Sequence, residues 1–99
     1  MVKVSNLISD RSGRAVCNQF VIKTDDAVVF QSYDTTIAKK VNGNVYVRND
    51  ALDFSMTTSK YLYNFLREYC GKYCIRTKAN FNDCVTRGEI NLVAPSMME

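Results

Sequence analysis

Between residues 57 and 70 the spacing of apolar side chains changes from a period near two to a helical one, and this change constrains the fold more than any other feature. Tyr61, Leu62, Phe65, Leu66 and Tyr69 recur at the intervals that gather on one side of a helix. Ser55, Thr57, Thr58 and Ser59 lie at its start, where hydroxyls satisfy the unpaired N–H groups of a first turn. Gly71 lies just past its end, where a residue able to take positive φ stops a helix. A stripe of this kind cannot bury itself, so the rest of the chain must supply a facing layer.

Upstream residues provide it as strands. Residues 19–23 and 27–33 are rich in Val, Ile, Phe and Tyr, and Thr24-Asp25-Asp26 between them has turn chemistry, which predicts a hairpin. Residues 36–41 and 44–48 flank Asn42-Gly43, a strong signal for a second hairpin because both residues tolerate positive φ. A two-residue loop there pairs Lys40 with Val45 and Ala38 with Val47, and sets Ile37 on the face opposite the valines. A three-residue loop over 41–43 puts Ile37, Val45 and Val47 on one face, and a continuous buried face favours that register.

Downstream, residues 73–77 suggest a short extended piece, and Thr77 is placed to cap a shorter helix carrying Phe81, Cys84 and Val85 and ended by Gly88. Residues 90–93 read as a last strand. Val2 and Val4 alternate like an edge strand, and 9–14 is turn-like. The expected fold class is α+β: an antiparallel sheet of about four or five strands packed against one amphipathic helix and a second, shorter helix. One domain is expected over 1–99, with its core within about 15–93.

Composition narrows the chemistry. Apolar residues make up 46% and charged residues 23%, which suits a globular domain. The net charge of +3 divides as +2 on residues 1–50 and +1 on 51–99, so no charged tail or block exists. No N-terminal apolar run resembles a signal peptide and no stretch reaches the length of a membrane span, which points to a cytoplasm and reduced thiols at Cys17, Cys70, Cys74 and Cys84. With no histidine, a zinc site needs all four cysteines, yet Cys70 and Cys74 lack Cys-x-x-Cys spacing. No metal or other cofactor is expected. The missing histidine also removes the usual general base. Asp25 and Asp26 are adjacent in a turn and point apart, and Asp50 and Asp53 lack a calcium-loop glycine, so no catalytic residue is named and the chain is read as non-enzymatic.

The stretch Asn18-Gln19-Phe20, Phe30-Gln31-Ser32-Tyr33, Ile37-Ala38, Gly43-Asn44-Val45-Tyr46-Val47, Asp53, Ser55, Thr57-Thr58-Ser59-Lys60-Tyr61 and Phe65-Leu66 resembles a family of small uncharacterised proteins of bacteriophages and other bacterial mobile elements. The resemblance covers roughly residues 18–66 and carries no assigned activity. It implies an accessory protein acting inside a bacterial host cell.

Two surfaces are candidates for binding. Ser55, Thr57, Thr58 and Ser59, with the N–H groups of the helix start, form a candidate anion site. Lys60, Tyr63 and Arg67 stand on the helix side away from the apolar stripe, with Lys72 and Arg76 after it. Residues 60–78 carry five basic side chains against Glu68 alone, interleaved with Tyr63, Tyr69 and Tyr73. Basic groups with aromatics suit single-stranded nucleic acid, which makes a host macromolecule the expected partner and nucleic acid its specific form. The alternative is a protein-binding inhibitor of a host or defence factor, anchored by Tyr and Arg.

Overall fold

The computed structural model describes residues 1–98. Its strands follow chain order, from β1 (Lys3–Ile8) and β2 (Ala15–Lys23) through β3 (Ala27–Ser32) and β4 (Thr35–Val41) to β5 (Asn44–Arg48). A short 3-10 turn, Ala51–Asp53, leads to α1 (Met56–Tyr69), then α2 (Lys78–Thr86) and a final strand β6 (Asn91–Val93). The six strands form one sheet in the order β1-β2-β3-β4-β5-β6. Neighbours are antiparallel except β5 and β6, which run parallel because the two helices cross over between them. The fold is α+β, with one strand more than the largest number expected from sequence.

Both hairpins form. At Asn42-Gly43 the three-residue register fails: Val41 pairs with Asn44, Lys40 with Val45 and Ala38 with Val47, so the loop has two residues. Asn42 at φ 51° and Gly43 at φ 82° give the left-handed pair such a loop requires. Ile37 is still buried, because Phe30 pairs with Ala38 while Gln31 pairs with Thr36. Ile37 is thus the extra residue of a β-bulge, which turns it and Ala38 into the core together. The expected extended piece over 73–77 is also absent. Residues 73 and 74 instead form a turn, closed by the Ile75 N–H donating to the Lys72 carbonyl at 3.1 Å.

The core lies between the sheet and the helices. Leu7, Val21, Phe30, Ile37, Val45 and Val47 meet Leu62, Phe65 and Leu66 of α1, and Ile75, Phe81 and Ile90 complete it. Phe65 stacks between Phe30 at 5.5 Å and Tyr69 at 5.4 Å. Burying one such side chain contributes about 1.5–3 kcal/mol, so α1 is held mainly by packing. Its other flank is covered too. Tyr63 packs on Phe81 of α2, with ring centroids 6.1 Å apart, and Asn64 is buried beside the loop after β1.

Candidate binding groove

The residues that build the site share one side of α1. Met56, Ser59, Lys60, Tyr63 and Arg67 recur every three or four positions and form the floor of a groove of about 610 Å³. One wall is the loop between β1 and β2, through Asp10 and Arg11, and the opposite wall is Arg76 with Lys78 at the start of α2. Leu52 of the 3-10 turn completes the lining, which sets five cations against a single carboxylate.

Local structure explains each placement. Asn64, only 2% exposed, accepts from the Asp10 N–H through Oδ1 at 2.8 Å and donates through Nδ2 to the Ile8 carbonyl at 3.1 Å, which docks the β1–β2 loop on the helix. The other wall is fixed by a capping box: Thr77 accepts from the Asn80 N–H, and Asn80 accepts from the N–H groups of Arg76 and Thr77, each at 3.2 Å. Arg67 ties both walls to the floor. Its Nε and Nη2 donate to Asp10 Oδ2 at 2.9 and 2.7 Å, and its Nη1 donates to the Ile75 carbonyl at 2.6 Å.

Residues 2–83 match DUF8033, a family of unknown function. The chain belongs to that family. The matched DUF8033 span contains the groove floor and both walls, and reaches beyond the stretch of residues 18–66 that carries the resemblance in the sequence. No curated protein and no solved structure matches the chain.

Of the surface expected from sequence, Lys60, Tyr63, Arg67 and Arg76 meet at the DUF8033 groove, and Lys72 does not. Lys60 is exposed, its Nζ 5.2 Å from the Tyr61 ring centre. Tyr63 is a correction: it is 8% exposed, and burial pushes its phenol up from the ordinary value, so it cannot serve as a solvent-facing stacking platform. Arg67 is half-buried and engaged by Asp10. Lys72 pairs with Glu89 at 3.3 Å, and the Arg87 and Lys72 hydrogen bonds hold the Glu89 carboxyl below its usual range.

The candidate anion site divides. Ser55 accepts from the Thr58 N–H at 3.0 Å and donates to Thr58 Oγ1 at 3.0 Å, which commits both hydroxyls to the helix cap. Thr57 is exposed, Ser59 lines the groove, and Thr58 lines a separate cavity of about 150 Å³ with Tyr33 and Phe54. The cysteines are free, Cys17 and Cys74 exposed and Cys70 and Cys84 buried, with Cys74 beside Cys84.

Asp10, Arg11, Leu52, Met56 and Lys78 were missed as site residues. Lys78 was inside the basic stretch, but Arg11 lies in a turn far from it in sequence. The one available signal was Asn64, an amide among apolar helix positions that needs polar partners once buried. Arg11, Arg76 and Lys78 have no side-chain hydrogen bond or ion pair among the described residues, so their charge faces the groove uncompensated.

Proposed function

We propose that this chain is a non-enzymatic accessory protein of a phage or mobile element that binds single-stranded nucleic acid through the groove, in the cytoplasm of a bacterial host. The observation that carries the reading is the lining, where Arg11, Lys60, Arg76 and Lys78 surround one carboxylate that Arg67 already holds. Like charges brought together this way repel, and a polyanion relieves the repulsion while releasing its own counterions. The contact is mainly to the phosphate backbone. Met56 and Leu52 offer apolar contact for a base, while Tyr63 contributes only the part of its surface that lines the groove.

The reading is tested by titrating a labelled oligothymidine at several salt concentrations. Four phosphate contacts on a single strand give a log–log salt slope of about −3. Replacing Arg76 and Lys78 by alanine should bring the slope to about −1.5. Affinity that ignores salt removes phosphate binding at the groove.

A second reading, a protein-binding inhibitor, is favoured by a different observation. Tyr33 is 64% exposed and Phe54 46%, both outside the groove. Capture from host lysate that survives nuclease treatment and is abolished by Tyr33→Ala supports it, and capture abolished by nuclease alone supports the first.

A further inference from the structure

Resting on the nucleic-acid reading of the groove, we infer that the site takes the phosphorylated end of a single strand rather than a stretch of strand passing through. The two ends of the groove floor differ in exposure and charge. Its floor runs along α1 from Met56 to Arg67, roughly 16 Å at about 1.5 Å per residue. Met56 begins the helix and is 91% exposed, so that end lies open to solvent.

At the far end Arg67 reaches both walls. It bonds Asp10 on one side at 2.9 and 2.7 Å and the Ile75 carbonyl on the other at 2.6 Å, with only 11% of its side chain exposed. The guanidinium is therefore a crossbar between the walls. Its three hydrogen bonds come from one charged group and are among the stronger kind, so the guanidinium is held fixed at this end of the floor.

Charge is concentrated at the Arg67 end. Arg11 follows Asp10 in the chain and Arg76 follows Ile75, so each wall carries a cation next to its crossbar contact. A terminal phosphate monoester carries about −1.5 to −2 at neutral pH, more than an internal diester. The greater positive charge thus faces the more negative part of a strand. Lys60, nearer the open end, meets a following diester, and Met56 contacts a base.

The experiment compares four oligothymidines of equal length by competition: 5′-phosphorylated, 3′-phosphorylated, hydroxyl at both ends, and covalently circular. One phosphorylated linear form should bind roughly tenfold tighter than the hydroxyl-ended one, equivalent to about 1.4 kcal/mol. The circle should bind most weakly. Arg76→Ala and Arg11→Ala should each reduce the preference for the phosphorylated end, with thermal unfolding checked to show that the variant is folded. Equal, salt-dependent binding of all four forms overturns end recognition and leaves the groove reading intact. Failure of all four to bind overturns both. The arm that wins decides between 5′ and 3′ polarity.

Discussion

Arg67 and Asp10 lie 57 residues apart in the chain and meet through two hydrogen bonds to one carboxylate oxygen, at 2.9 and 2.7 Å. The pair is mostly buried, with 11% of the Arg67 side chain and 23% of Asp10 exposed, so it is shielded better than a surface ion pair. Removing Arg67 leaves a carboxylate and the Ile75 carbonyl without their donor. Arg67→Ala should lower stability by about 2–3 kcal/mol, and Asp10→Ala by less, since Arg67 keeps its bond to Ile75. A double-mutant cycle by urea unfolding checks this: a coupling near zero would show that the pair does not act as a clasp.

Phe65 sits at 0% exposure between the rings of Phe30 and Tyr69. Phe65→Ala removes both stacking contacts and leaves a cavity where helix meets sheet, with an expected loss of about 3–5 kcal/mol. A marginally stable domain of this size would be largely unfolded by the upper end of that range. Thermal unfolding measures it, and a melting temperature equal to wild type would mean the site collapses without cost.

The apolar pattern made this much legible: the helix boundaries moved by a single residue at each end, since hydroxyls, stripe and Gly71 all pointed to one segment. The same pattern misled at Tyr63. A helical wheel assumes one covered side, whereas α1 has the sheet on one flank and Phe81 of α2 on another, so a tyrosine opposite the stripe is buried as well. The register at Asn42-Gly43 was misread for a related reason. Alternation assumes an unbroken ladder, and the bulge at Ile37 lets neighbouring residues face the core together. Arg11 was hidden because its position depends on Asn64 bonding a loop more than fifty residues away. Distance in sequence conceals such contacts, while composition only bounds the charge available to them.

Cys70 gives a pH dependence whose sign follows from burial. Desolvation pushes its thiol from 9.0 up to about 11, only partly offset by Lys40 and Lys72. The folded state therefore holds the proton between those values while the unfolded chain releases it. Stability from this group is complete below pH 9 and is lost as pH rises toward 11. Tyr63, raised above its ordinary 10.0 by burial, acts in the same direction. Urea midpoints should fall across this window in wild type and fall less in Cys70→Ala. In the folded protein at pH 8, iodoacetamide should modify Cys17 and Cys74 well before Cys70 and Cys84. Labelling of Cys70 as fast as Cys17 would contradict the burial.

Tyr63 and Lys60 are neighbours on the groove floor with opposite roles, and substitution separates them. Tyr63 is packed on Phe81 and nearly closed to solvent, so Tyr63→Ala opens the contact between α1 and α2 and should cost about 3 kcal/mol of stability. Tyr63→Phe keeps the ring and should leave stability within about 1 kcal/mol of wild type, because no hydrogen bond to the hydroxyl is seen among the described residues. Lys60 is exposed, with its Nζ 5.2 Å from the Tyr61 ring centre, so Lys60→Ala should change the melting temperature little. Its effect belongs to binding, where one lost phosphate contact reduces the single-strand salt slope by about 0.7. Melting curves and salt titrations on the three variants decide between the roles. If Lys60→Ala lowers the melting temperature as much as Tyr63→Ala while the salt slope stays unchanged, the groove floor is structural throughout and the nucleic-acid reading loses its basis.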